Sequence, residues 1–261
     1  MKKLTKILSI MLVIAMAVGC FAACGKKEAD NGGSEGNSIK FGTNAEFPPF
    51  EYVTQDGTIG EFDGIDIAIA KQIAEENGME ATIDNMEFDS LIIALQNGQV
   101  DAVIAGMTVT EERAEAVDFS TPYYTATQVM IVKEDSDITC AEDMADKKIV
   151  VIQGYTGETC VQDMNYEYEA FKKGTEAIME LVNGKCDVVV IDSATAQKYV
   201  DDNEGLKIVE DPNAFESEEY AIAVKKGNEE LLEKINAAIE KMLEDGTISE
   251  FAAKYVDADV E

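Results

Sequence analysis

The sequence predicts an α/β protein of two similar lobes, each a mostly parallel sheet flanked by helices, and three observations lead there. From Ile39 onward, short apolar runs alternate with segments of helical period, as in βαβ units. Two passages match without gaps: "LQNGQVDAVIAGMT" from Leu95 and "LVNGKCDVVVIDSA" from Leu181 share Leu, Asn-Gly, Asp and Val at a constant offset of 86. Finally, about 223 residues follow Ser38, enough for two compact units rather than one.

The first series reads as the strand "IKFGT", the helix "GIDIAIAKQIAEENG", the strand "EATID", the helix "DSLIIALQNG", the strand "DAVIAG" and a helix opening at "TEERAEAV". The strands are short apolar runs, and both leading helices stop at a glycine, which adopts left-handed backbone at little cost. The second series reads as the strand "KKIVVIQG", a helix from "TGETCVQDM", the helix "TEAIMELVNG", the strand "DVVVID" and a helix from "SATAQKYV". Between the two lies "YYTATQVMIVKE", and after them "EEYAIAVKKGN", both strand-like. The matched passages put a helix, a closing glycine and a buried strand at the same point of each series. A repeated lobe produces this, and so does independent use of one good helix-to-strand connection.

The first residues concern location rather than fold. Lys2, Lys3 and Lys6 precede an apolar run from Ile7 to Val18, the layout of a secretory signal peptide, too short to span a bilayer comfortably. Small residues before Cys24 in "FAACGKK" resemble a bacterial lipobox, which places the leader at residues 1–23 and a lipid on Cys24; Cys20 after "AVG" is the alternative site, and an unlipidated secreted protein the plainer reading. Residues 24–38 are rich in Gly, Asn, Ser and charge and read as a flexible tether. No later stretch reaches the roughly 20 apolar residues of a membrane span. With 52 acidic residues against 21 basic, the net charge is −31, a surface that repels nucleic acid phosphates. The odd cysteine count beyond the leader, Cys140, Cys160 and Cys186, leaves at least one thiol unpaired; Cys186, at the start of an apolar strand, reads as a small buried hydrophobe.

In open α/β sheets ligands bind beyond the carboxyl ends of strands, which directs attention to residues 106–113 and to Asp192. Arg113 is the only arginine in a chain of 20 lysines. It sits three residues into a helix capped by Thr110, where a capping box favours Glu or Gln and the helix dipole disfavours a cation. An anion gripped by the guanidinium fork, with backbone N–H groups around Thr108, explains that placement; a surface pair with Glu112 or Asp118 is the alternative. Asp192 ends "DVVVID" and has two readings, a cap for the next helix or a cation site. An anion site in one lobe and a cation site in the other together suit a zwitterion, of which a free α-amino acid is the smallest common example.

"GTNAEFPPFEY", "GEFDGIDIAIAKQIAEENG", "LIIALQNGQVDAVIAGMTVTEERAEAVDFSTPYY", "VVIQGYTGET", "CDVVVIDSATA" and "LLEKINAAIEKMLEDGTISEFAAKYV" closely resemble the amino-acid-binding receptors of bacterial ABC importers, over residues 39–256. The resemblance implies a two-lobed type II periplasmic-binding-protein fold: a discontinuous lobe 1 of residues 39–124 and 220–261, lobe 2 of residues 129–216, and crossings at 125–128 and 217–219. It implies that Arg113, Thr108 and the backbone of Gly106 hold the α-carboxylate or ammonium, that Thr156 and Gly157 close over the carboxylate, and that Asp192 takes the ammonium. Phe47 and Phe88 match rings that sandwich the ligand side chain, with core packing as their plainer role. Asn44 stands where receptors for histidine or basic amino acids often carry Asp, and Gln153 where a glutamine receptor has Lys; Glu46 either restores a negative charge or faces solvent. The implied protein is a lipid-anchored monomer on the outer face of the cytoplasmic membrane, delivering a polar amino acid to an ABC permease. The ATPase is a separate chain, since no GxxxxGK[ST] loop occurs here. No cofactor or metal is implied. An extracellular sensor partnered with a kinase and a dehydratase-like enzyme share the fold as alternatives. Against the enzyme stands the absence of histidine, the commonest general base.

Overall fold

A computed structural model describes residues 38–54 and 61–256; the leader, Cys20, Cys24 and residues 24–37 of the tether lie outside these. The chain enters at β1 (Ser38–Thr43), one residue inside the stretch read as tether, and passes through three short strands, β2 (Glu46–Phe47), β3 (Glu51–Val53) and β4 (Phe62–Asp63). Helix α1 (Ile65–Glu76) leads to β5 (Glu80–Asn85), then α2 (Leu91–Gln96), β6 (Ala102–Val103), α3 (Glu111–Ala116) and β7 (Val117–Phe119). The long strand β8 (Tyr124–Lys133) carries the chain into a second set: β9 (Ile149–Ile152), α4 (Thr156–Asp163), β10 (Tyr168–Phe171), α5 (Gly174–Val182), β11 (Val188–Asp192), α6 (Ser193–Asp201) and β12 (Leu206–Val209). Strand β13 (Ser217–Tyr220) returns it to β14 (Ala223–Lys225), followed by α7 (Glu229–Asp245) and α8 (Thr247–Val256).

Two principal sheets result, in the orders β5-β1-β6-β14-β7 and β10-β9-β11-β8-β12, with β2, β3 and β4 forming a small third sheet. Each principal sheet is mixed. The βαβ units legible in the sequence form parallel trios, β5-β1-β6 and β10-β9-β11. The strands that bring the chain across, β14 and β8, join those trios antiparallel. The crossings are strands rather than loops: β8 runs unbroken through residues 125–128 and pairs with β13, Ser217 opposite Thr127 and Tyr220 opposite Tyr124. Strand β6 is shorter than "DAVIAG" predicts, and the chain beyond it turns at Gly106, φ 51°.

The repeated passage has a structural explanation. Helices α2 and α5 both close on Asn-Gly with the glycine left-handed, φ 70° at Gly98 and 69° at Gly184. Three residues beyond each glycine, Asp101 and Asp187 make the same pair of bonds: the Asp101 carboxylate accepts from Lys40 N–H at 2.8 Å, as Asp187 does from Lys148. The amides of the two aspartates donate back to the Lys40 and Lys148 carbonyls. The shared Asp therefore ties each buried strand to its parallel neighbour at its start, which sets the register that delivers both strand ends to one place.

Helix α1 buries Ile65, Ile69 and Ile73 completely, against a core that includes Ile235 and Ile239 of α7. Its first-turn amides are satisfied by the loop before β3: Ile65 N donates to Pro49 O at 3.1 Å and Asp66 N to Phe50 O at 2.9 Å. Gly64 permits this approach, since a Cβ there would lie 2.1 Å from Phe50 O, and its φ is 128°. Gly64→Ala is expected to destabilise the protein by at least about 3 kcal/mol in urea denaturation, strain and overlap acting together. Gly78→Ala, at φ 66° with open space around it, is expected to cost only about 1 to 2 kcal/mol.

Candidate ligand-binding site

The ends of β6 and β11 meet at a small cavity lined by Phe47, Phe88, Ala105, Gly106, Thr108, Arg113, Tyr155, Thr156 and Asp192. Seven of the ten candidate binding residues are among these. Of the other three, Asn44, Gln153 and Gly157, none lines the cavity.

Thr110 caps α3, its hydroxyl accepting from Arg113 N at 3.1 Å. The Arg113 guanidinium is half-buried and bridges the two sheets: Nη1 donates to Thr108 O at 2.7 Å and Nη2 to Gly154 O, just beyond β9, at 2.9 Å. It also lies over the Phe88 ring, 5.2 Å from its centroid. No carboxylate among the described residues lies within salt-bridge distance of it, so the surface pair with Glu112 or Asp118 is not formed; Asp118 instead accepts from Gly227 N. Burial lowers the Arg113 pKa from its ordinary value, while Asp192, Glu218 and Glu112 act the other way.

Asp192 occupies the cap position of α6, but its side chain makes no capping bond. Its Oδ1 accepts from Tyr220 OH at 2.6 Å instead, and it is buried. Burial, and secondly the Glu218 carboxylate, push its pKa up to about 7. A cation placed against it would reverse that shift.

The Thr108 and Thr156 hydroxyls converge from the two sheets on one acceptor, Glu218 Oε2, at 2.8 and 2.7 Å, and Gln128 Nε2 donates to Thr156 Oγ1 at 3.1 Å. The backbone N–H groups of Thr156 and Gly157 open α4, where no intrahelical acceptor exists for them. Gly157 packs on β11: a Cβ there would meet Val190 O at 2.9 Å.

Behind the first strand end lies a buried acidic pair. Asp66 Oδ2 accepts from Gly106 N at 2.7 Å and from Tyr123 OH at 2.8 Å. Burial raises its pKa to about 6, against those bonds. Glu51, fully buried beside it, is raised well above the usual range by burial and by Asp66, and so is held toward its neutral form. Because its N–H is taken by Asp66, Gly106 presents only its carbonyl to a ligand.

Three rings close the other end of the cavity. Phe47 meets Tyr155 edge-on, centroids 5.3 Å apart, and Phe88 meets Tyr155 at 4.7 Å. Asn44 lies behind them, donating to Met86 O at 2.9 Å and accepting from Tyr155 OH at 3.1 Å. Gln153 is at the rim, with Nε2 donating to Asp89 Oδ2 at 3.1 Å. Glu46 pairs with Lys173 Nζ at 2.8 Å and adds no free charge to the cavity.

A family model for bacterial extracellular solute-binding proteins, family 3, matches residues 39–258. The chain belongs to this family. A probable histidine-binding protein of Neisseria gonorrhoeae is 34% identical over 256 residues, covering 93% of this chain and 94% of that protein. The arginine-binding extracellular protein ArtP of Bacillus subtilis (strain 168) is 34% identical over 254 residues, 94% and 96% of the two chains. Among solved structures, an ancestral arginine-binding protein bound to glutamine is 44% identical with a TM-score of 0.79, covering 84% of this chain and 98% of that one. These relatives are named as binding proteins and not as enzymes. The two-lobed type II fold is thus the fold of this family 3 solute-binding protein.

The residues that sequence reasoning passed over in this solute-binding protein are Tyr155, Glu218, Tyr220, Gln128, Asp66 and Glu51. "GIDI" offered one signal, an aspartate within the apolar opening "IDIAIA" of a helix. The pair it forms with Glu51 gives a pH test. A folded pKa of about 6 for Asp66, above its unfolded value, means that its contribution to stability is fully present below about pH 4 and lost as pH rises through 6. Asp66→Asn cannot ionise, so its stability relative to wild type should grow by roughly 3 kcal/mol between pH 4 and 7.5, read by denaturant unfolding of ligand-free protein.

Proposed function

We propose that the protein is an extracellular lipoprotein receptor that binds a polar L-α-amino acid between two closing lobes and delivers it to an ABC permease whose ATPase is a separate chain. The observation that carries this reading is the presence of Arg113 and Asp192 at one cavity, Arg113 on helix α3 of the first set of elements and Asp192 at the end of β11 in the second. A ligand that carries an anion and a cation on one carbon compensates both charges at once; one with a single charge compensates only one.

In this reading the α-carboxylate lies against Arg113 and the N–H groups of Thr108, Thr156 and Gly157. The ammonium lies against Asp192 and the Gly106 carbonyl. Each charge-assisted hydrogen bond contributes about 1.5 to 3 kcal/mol. Lobe 1 comprises residues 39–124 and 220–261, lobe 2 residues 129–216, and the β8–β13 ribbon is the hinge between them. The ligand favours closure by touching both lobes, because only contacts made in the closed form shift the equilibrium. Bonds from Arg113 to Gly154 and from Tyr155 to Asn44 would then form on closing. A lipid on Cys24 and the tether of residues 24–38 keep the receptor, acting as a monomer, near its membrane partner; no helix among the described residues is long and apolar enough to cross a membrane.

Titration calorimetry tests the assignment of Arg113. Arg113→Ala is expected to abolish amino acid binding, and Arg113→Lys, which keeps the charge but loses the fork, to weaken it at least about tenfold. Near wild-type affinity in either variant would remove Arg113 from the carboxylate site. The ligand itself is found by thermal-shift screening of stripped protein against all common amino acids.

A further inference from the structure

The cavity has a charged end and an aromatic end. Arg113, Thr108, Thr156 and Asp192 make the first; Phe47, Phe88 and Tyr155 make the second. An α-amino acid whose charged groups occupy the first end must direct its side chain at the second, so the depth of the aromatic end sets how long that side chain can be.

Tyr155 limits that depth. It precedes α4 and is only 6% exposed. Its ring meets both phenyl rings edge-on, Phe47 at an interplanar angle of 89° and Phe88 at 63°, and therefore stands between them. Its hydroxyl reaches past the rings to Asn44 Oδ1 at 3.1 Å, while Asn44 Nδ2 is held by Met86 O at 2.9 Å. The polar group at the far end of the slot is thus already satisfied by the protein's own side chain. A ligand long enough to reach Asn44 has to expel Tyr155, breaking a buried hydrogen bond and two aromatic contacts.

Size and charge agree with this. The cavity holds only about 10 Å³ of water-accessible space, room for about one water molecule, so the slot that Tyr155 fills has no spare depth for a long side chain. Among the described residues none of those lining the aromatic end is charged: Glu46 nearby is paired with Lys173, Glu51 is buried and held toward its neutral form, and Asp89, beside Phe88, is exposed and accepts from Gln153.

We propose that Tyr155 is a specificity-determining residue that shortens the side-chain slot, so that the protein prefers amino acids with short uncharged polar side chains, such as serine, threonine or cysteine, over arginine, histidine or glutamine. This rests on the amino acid receptor reading above. It departs from the ligands in the names of the relatives, all of which have longer side chains.

The test is calorimetry of stripped protein, in wild-type, Tyr155→Phe and Tyr155→Ala forms, against serine, threonine, cysteine, glutamine, histidine and arginine. Wild type is expected to bind at least one short amino acid ten times more tightly than any long one. Tyr155→Phe keeps the ring and should keep that order. Tyr155→Ala opens the slot and should narrow or reverse the preference by at least tenfold in favour of glutamine or arginine. Wild-type protein that binds a long amino acid as tightly as any short one overturns the inference but leaves the receptor function intact, and so does a folded Tyr155→Ala variant with an unchanged order. If folded wild type binds no amino acid at all, the proposed function fails and this inference fails with it.

Discussion

Everything at the cleft is arranged around one guanidinium held between two sheets. Arg113 gives one N–H to Thr108 O on its own sheet and one to Gly154 O beyond the other. Both acceptors are neutral carbonyls, so the bonds position the charge without cancelling it. Asp192, the other charge at the cavity, is likewise bonded to a neutral group, the Tyr220 hydroxyl. Partly desolvated charges left without partners are costly, and burial moves both pKa values toward the uncharged forms. The protein thus carries an electrostatic cost that a zwitterion bound as proposed would relieve in a single binding event.

The scaffold holds these two charges with short-range means. Asp101 and Asp187 fix the starts of the two buried strands to their neighbours, and the strands then deliver their far ends to the same cavity. Asp66 holds the Gly106 amide and Tyr123 together, and the loop carbonyls of Pro49 and Phe50 anchor the helix that carries Asp66. Glu218 gathers Thr108 and Thr156 from opposite sides and lies on the strand that returns the chain, where it couples the ribbon to the cleft.

Much of this was legible in the sequence because it follows from local rules. The Asn-Gly helix ends, the apolar strands and the Thr110 cap are set by residues within a few positions of one another, and Arg113 was conspicuous because it broke a local preference. What escaped was non-local. The strands β2, β3, β4, β7, β10 and β12 are two to four residues long and are stabilised by partners rather than by their own pattern. Tyr155 looked like a loop residue because its neighbours in the slot, Asn44, Phe47 and Phe88, lie far away in sequence. Glu218 and Glu51 were indistinguishable from the many acidic residues of the surface, since nothing in a sequence marks which carboxylates the fold buries.

The charge pair is tested most directly by measuring, in one calorimetric series, the amino acid that binds best beside its amide, which lacks the carboxylate, and its N-acetyl derivative, which lacks the ammonium. If Arg113 and Asp192 each hold one end of a zwitterion, both derivatives should bind at least about a hundredfold more weakly, a loss near 2.7 kcal/mol for each end. Retention of affinity within tenfold by either derivative would contradict it.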